Sequence, residues 1–357
     1  MNVHIARKSF KAGDATVFLA DALDLYPWWP TPTAIISDGP YGLASFPGDP
    51  PTPDRLDEWY RPHVEQWSHR ASPQTTLWFW NSELGWAKVH HLFEEFGWEY
   101  RSCHIWNKGI GHVAGNCNGK TLRKFPVVSE VCVQYTKTAF FRFQGSLLPM
   151  KDWLRAEWLR SGLPLYLTNA ACGVKNAATR KYFTADHLWY YPPPDAFERF
   201  VQYANAHGRK EGRPYFSADG KHPMTAGEWE KMRAKFNFIN GVTNVWRENA
   251  VRGNERIKSD CKCVHMNQKP LALLERCIAA STDPGDVVWE PFGGLCSATL
   301  AARLLARQGF AAEINETYFN IAKKRLEEPD GLFERPARTD SEGTGHDLAA
   351  PPTVSAR

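Results

Sequence analysis

The sequence predicts a doubly wound α/β fold, a mostly parallel sheet flanked by helices, with an inserted and largely helical region. Three observations carry the prediction. Residues 75–106 alternate strand, helix and strand; residues 287–313 read as strand, glycine turn, helix and a strand ending in an acid; and the apolar run at 33–36 stops at Ser37-Asp38-Gly39-Pro40-Tyr41-Gly42. Open α/β sheets bind ligands beyond the carboxyl ends of their strands, so both polar turns fall where a site is expected.

With 357 residues, 43% of them hydrophobic, the chain has room for one large domain plus an insertion, or for two domains. A formal charge of +4 permits a nucleic-acid partner without demanding one. The eight cysteines follow no framework spacing, and the first ten residues hold Arg7 and Lys8 but no apolar signal core, which points to a reducing cytoplasm. No run approaches the roughly 20 apolar residues of a membrane span, so a soluble protein without a membrane partner is expected. Cys261-Lys262-Cys263-Val264-His265 lacks a second ligand pair at finger spacing, and no metal is expected there.

In chain order, 15–19 is a short apolar strand. Asp21 and Ala22 follow, and the acid suits a cap on the turn at 22–25. The strand at 33–36 delivers an acid, a tight turn and an aromatic ring together. The carboxylate and nearby carbonyls can accept from an amino group, while the tyrosine covers the flat face of the ring that bears it. Residues 46–57, rich in proline, glycine and aspartate, read as a loop able to close over a substrate. A helix is expected at 56–71 (Trp59, Val64, Trp67), a strand at 75–80, a helix at 86–96, and strands at 100–106 and 127–137, the last holding Glu130.

Between Lys108 and Arg142 six basic residues face the single acid Glu130. They read equally as a solvated face or a phosphate-facing one. The glycine- and asparagine-rich stretch at 109–119, flanked by Lys108 and Lys120, is either a flexible loop or a backbone that approaches phosphates.

At 151–183 the alternation breaks, as expected of an insertion. Helices at 152–160, 167–172 and 175–183 have helix-turn-helix spacing, which puts Lys175, Asn176, Thr179, Arg180 and Lys181 on or near a groove-facing surface. Short helices around a glycine also occur in ordinary domains. The aromatic turn at 189–194 packs the insertion on the main domain or offers a ring for stacking, and helices follow at 196–206 and 228–236. The expected divisions are 1–140, 141–240 and 241–328, with a disordered, proline- and charge-rich tail at 329–357.

In the last third, His265-Met266-Asn267-Gln268-Lys269-Pro270 leads into a helix at 271–280, with proline at its favoured start. A strand at 287–289, the loop Glu290-Pro291-Phe292-Gly293-Gly294, a helix at 297–307 and a strand ending at Glu313 then make a nucleoside-binding pattern. Glycines let backbone approach the ligand, and the acid takes a ribose hydroxyl pair; a nicotinamide Gly-x-Gly-x-x-Gly is absent.

The first motif resembles motif IV of the DNA amino-methyltransferases, usually Asp-Pro-Pro-Tyr or Ser-Pro-Pro-Tyr, which methylate N6 of adenine or N4 of cytosine. The second resembles their S-adenosylmethionine site, usually Asp-Pro-Phe-x-Gly-Ser-Gly preceded by His-Pro-x-Gln-Lys-Pro. Catalytic motif first, cofactor motif last and target recognition between them is the order of the β group. The resemblance implies that Asp38, Gly39, Pro40 and Tyr41 are catalytic, acting on a flipped base. It implies that Asp21, Ala22, His265, Gln268, Lys269, Glu290, Pro291, Phe292, Gly293, Gly294 and Glu313 surround S-adenosylmethionine. Lys108, Lys120, Lys175, Asn176, Thr179, Arg180 and Lys181 are the residues expected at DNA. Double-stranded DNA is the implied partner, and a homodimer and a cognate restriction endonuclease are left open. The sequence departs from the family at Gly39 (usually proline, giving a less rigid loop), Glu290 (usually aspartate) and Cys296 (usually glycine). Methylation of RNA or a protein amide, and DNA binding without catalysis, are the competing readings.

Overall fold

The computed structural model describes residues 6–44, 48–109, 111, 113, 123–186, 188–210, 212–251, 258–259, 262–263 and 268–327. Lys120, Cys261, His265, most of the loop at 109–119 and the tail from 328 lie outside the described residues.

The first segment supplies β1 (Lys8–Ala12), β2 (Ala15–Leu19), α1 (Ala22–Leu25), β3 (Ala34–Ser37), α2 (Leu56–Arg70), β4 (Thr76–Asn81), α3 (Glu83–Glu95), β5 (Trp98–Asn107) and β6 (Ser129–Lys137). A middle segment holds the hairpin β7 (Phe140–Phe143) and β8 (Ser146–Pro149), then α4 (Met150–Arg160), α5 (Leu167–Ala171), α6 (Ala177–Tyr182), α7 (Pro194–His207) and α8 (Ala226–Glu230). The last segment contains β9 (Val245–Arg247), the short pair β10 (Lys258–Ser259) and β11 (Lys262–Cys263), α9 (Leu271–Ser281), β12 (Val287–Glu290), α10 (Ser297–Leu304), β13 (Gln308–Glu313) and α11 (Glu316–Glu327).

One nine-stranded sheet runs β1-β2-β13-β12-β3-β4-β6-β5-β9. From β2 to β4 its five strands are parallel, β5 and β9 are parallel, and β1 and β6 run against their neighbours. The period of two along each strand sends residues to opposite faces. Ile35, Leu77 and Phe79 join one core with α1, α2 and α3, whereas Ala34, Ile36, Trp78 and Trp80 join another with α9 and α10. A sheet buried on both faces explains why β3 and β4 read as continuous apolar runs rather than alternating ones.

The middle segment builds a third core from Ala139 to Trp229, around the stacked rings of Phe141 and Trp153 (4.1 Å) and of Phe197 and Trp229 (4.2 Å). At its centre the fully buried Glu157 carboxylate pairs with Arg160 and Arg213 and accepts from the Phe216 amide at 2.9 Å. Three features differ from the sequence expectation. The helix expected at 228–236 is only the five-residue α8, closed by a Thr225/Glu228 capping box. The β7–β8 hairpin was not foreseen; its two-residue turn, Gln144-Gly145, takes positive φ at both positions, and glutamine is not a usual signal for that turn. The aromatic turn at 189–194 packs within the insertion, Tyr191 stacking on Trp229 at 4.7 Å, and its rings meet none from the main sheet among the described residues. Among the described residues no helix is long and apolar enough to cross a membrane.

Candidate active site

β12 and β3 are adjacent and parallel, but the chain leaves β12 for β13 on one side and β3 for β4 on the other. A crevice opens at such a reversal, at the carboxyl ends of the two strands. Asp38-Gly39-Pro40-Tyr41 lies at the end of β3, and the glycine loop 290–294 at the end of β12.

Four charges converge there. Lys269 is 4% exposed; its ammonium donates to Asp38 Oδ1 at 2.8 Å and lies 3.3 Å from Glu130 Oε2. Lys108 pairs with the other oxygen of Glu130 and sits 4.8 Å over the Trp106 ring. The Tyr41 hydroxyl is 3.1 Å from both Asp38 Oδ1 and Glu130 Oε2, one proton shared between two carboxylates. Burial alone would lower the Lys269 ammonium, but Asp38 and Glu130 outweigh it and hold it above its ordinary range. Burial would raise Glu130, but Lys269 and Lys108 bring it down to about 2. Burial, with both carboxylates adding, keeps the Tyr41 phenol protonated. The result is a neutral alternating chain, Lys108, Glu130, Lys269, Asp38, which avoids the cost of an unpaired buried charge.

The turn is fixed by neighbours that donate to it. Tyr60 Oη and Asn81 Nδ2 both donate to the Pro40 carbonyl, at 3.1 and 3.0 Å. The Gly42 and Leu43 amides donate to Asp49, which draws the following loop back onto the turn. Among the described residues, the Gly39 carbonyl accepts no hydrogen bond. Gly39 departs from proline for reasons of space, not looseness. A Cβ there would stand 2.6 Å from both Phe292 Cδ2 and Tyr60 Oη. Gly39→Ala is therefore expected to displace the turn, lower stability by about 1–3 kcal/mol and reduce turnover. Thermal melting beside a turnover assay checks this.

Phe292 belongs to an aromatic cluster, 5.3 Å from Trp59 and 5.0 Å from His63. Burial lowers the His63 imidazole to about 4, so it is neutral, and Tyr26 Oη lies 2.9 Å from its Nδ1. Pro291 is buried beside it. Gly293 allows close packing, since a Cβ would meet the Ala312 carbonyl at 2.9 Å. Glu313 ends β13 and accepts from the Gly294 amide at 2.6 Å and the Asn315 amide at 2.7 Å. Cys296, where the last glycine was expected, takes the left-handed conformation itself at φ 53°.

Several site expectations change. Glu290 turns into the protein: its carboxylate accepts from the Ala298 and Thr299 amides and the Thr299 hydroxyl, capping α10. The longer glutamate reaches the helix end, so its oxygens are used internally. Asp21 is exposed and caps α1 through the Leu23 amide at 2.9 Å, with Ala22 buried behind it. Lys269 pairs with the carboxylates of Asp38 and Glu130. Gln268 Oε1 is buried and has no hydrogen-bond partner among the described residues. Lys108 is drawn inward to Glu130 and is not on a phosphate-facing surface. Thr179 packs: its hydroxyl lies 2.7 Å from that of Thr168, holding α6 on α5. Lys175, Asn176, Arg180 and Lys181 are exposed.

Sequence reasoning placed Glu130 on a strand but not in the site, and missed Tyr60 and Asn81. Asn81, a polar residue at the end of an aromatic strand, was a usable signal; Tyr60, on a helix full of aromatics, was not.

A family model described as DNA methylase, of N6/N4 type, matches residues 33–324. Among similar curated proteins, type II methyltransferase M.HinfI of Haemophilus influenzae is 38% identical over 86 residues, 24% of each chain. Type II methyltransferase M.HpaI of Haemophilus parainfluenzae is 35% identical over 92 residues, 26% of this chain and 28% of that one. The chain thus spans about a quarter of each relative's length. Among solved structures, the PvuII DNA methyltransferase (cytosine-N4-specific) shares the fold, with a TM-score of 0.54, 10% identity and 92% of each chain covered.

Proposed function

The chain belongs to the N6/N4 DNA methylase family, and from that premise we propose that it transfers a methyl group from S-adenosylmethionine to the exocyclic amino nitrogen of a base turned out of double-stranded DNA. The nitrogen is N6 of adenine or N4 of cytosine. The observation that carries the reading is the pair of acceptors at the end of β3: the Asp38 carboxylate, and a Gly39 carbonyl with no partner among the described residues, because its neighbour at Pro40 takes both Tyr60 and Asn81.

The residues present fit the cofactor. Gly293 lets the loop backbone pack directly on the Ala312 carbonyl, and Gly294 takes positive φ, so this loop presents backbone at the end of β12. The Glu313 carboxylate accepts from the Gly294 and Asn315 amides and keeps acceptor capacity for a ribose hydroxyl. Gln268 Oε1 is a buried acceptor in want of a donor. When bound, S-adenosylmethionine supplies an electrophilic methyl group on a positively charged sulfur. The chain's own residues prepare the nucleophile. An exocyclic amino group is weakly nucleophilic because its lone pair is delocalised into the ring. Accepting its two hydrogens at Asp38 and Gly39 favours a pyramidal nitrogen with the lone pair directed away from the ring, and Tyr41 covers the base. The unpaired buried cysteines suit a cytoplasmic location.

The test is transfer of tritiated methyl from S-adenosylmethionine to mixed genomic DNA, digested to nucleosides and separated. Label in N6-methyladenine or N4-methylcytosine supports the reading and identifies the base. Cofactor binding without label in DNA overturns it in favour of RNA or a protein amide.

A further inference from the structure

Phe125 is 93% exposed, the most exposed large apolar side chain among the described residues. It has no ring neighbour among the described residues, although an aromatic of this size ordinarily gains by burial. Arg123 and Lys124, both exposed, precede it, and Pro126 follows. A residue before proline is held extended, so the ring stands on a stiff arm.

That arm is anchored at the catalytic turn. The Lys108 amide donates to the Val128 carbonyl at 2.9 Å, β6 begins at Ser129, and Glu130 meets Tyr41 at 3.1 Å. Three residues of extended chain separate Phe125 from Val128, a reach of about 10 Å. An apolar ring behind two cations therefore stands at the rim of a recessed amino-accepting site.

We propose that Phe125 is a wedge that enters the base stack beside the target and fills the gap left by the turned-out base, with Arg123 and Lys124 meeting the flanking phosphates. The assignment rests on the DNA-methylating reading above. Its physical content is a trade: unstacking is unfavourable, and an apolar ring inserted at the step offsets part of that cost while gaining its own burial. The arm is assigned to duplex opening only, since Phe125 is 93% exposed and is not one of the acceptors.

The test uses oligonucleotide duplexes carrying the site mapped in the genomic assay, with the target base either paired or opposite an abasic position. Phe125→Ala is expected to lower single-turnover methylation of the paired duplex by roughly tenfold or more. With the abasic partner the loss should shrink to within about twofold, because little unpairing remains to be driven. Phe125→Trp should restore the paired substrate. Equal rates for the alanine variant and the parent on the paired duplex overturn the proposal. So does an equal loss on both substrates, which marks a contact affecting affinity or fold. A parent protein that methylates neither duplex sinks the functional reading itself, and that failure appears before any variant is made.

Discussion

Asp38→Ala is expected to lower methyl transfer by at least about 10²–10³-fold while leaving S-adenosylmethionine affinity nearly unchanged. The separation follows from position. Asp38 directly follows β3, whereas the cofactor candidates Gly293 and Gly294 lie in the loop after β12 and Glu313 ends β13. Removing the carboxylate removes an acceptor that the amino group needs most as its nitrogen becomes pyramidal. The fold has a reserve: Lys269 loses its 2.8 Å partner but keeps Glu130 at 3.3 Å, so no ammonium is stranded. Asp38→Asn is the stricter probe, since it preserves shape while offering one acceptor and one misplaced donor. Single-turnover methylation measured beside calorimetric cofactor binding decides the matter. If transfer and binding fall together, Asp38 is a scaffold for the cofactor and not an acceptor for the base.

How far the sequence revealed this site depends on the kind of interaction. The β3 turn and the β12 loop were legible because turn-forming residues after buried strands leave a local pattern, and strand order in an open sheet brings such ends together. The Lys108, Glu130, Lys269, Asp38 chain was not legible. Its members lie 231 residues apart at the extreme, and nothing local distinguishes an inward lysine from an outward one. Lys108 shows the consequence, since basic neighbours made it look like part of a phosphate-binding face. Glu290 shows another limit: its carboxylate caps α10, a use that matching the loop to a motif cannot foresee. At Gly39 the constraint comes from Phe292 and Tyr60, distant in sequence.

Lys269→Met should then have the largest effect on stability of any single change in the site. The variant leaves two part-buried carboxylates facing one tyrosine hydroxyl with only Lys108 in support, a loss of at most about 3–5 kcal/mol. The pH dependence has a definite sign. Glu130 is held at about 2, below its ordinary 4.5, so its contribution is complete above the ordinary value and disappears as pH falls toward 2. Lys269 is held above its ordinary 10.5, so its contribution is complete below that value and is lost only as pH rises through the folded one. Across neutral pH both contributions are present in the parent protein, and the gap to the variant is widest. Toward pH 4 the gap should narrow, because protonating a carboxylate relieves the variant's repulsion. Denaturant melts across that range test it; a gap that is constant with pH would mean that lost packing of the lysine stem, not charge, is responsible. Lys269→Met with Glu130→Gln removes one charge of each sign and should recover part of the stability without recovering methyl transfer, since Asp38 still lacks the ammonium that orients it. That outcome would separate the two tasks of the charge chain, holding the fold together and presenting an aligned acceptor to the base.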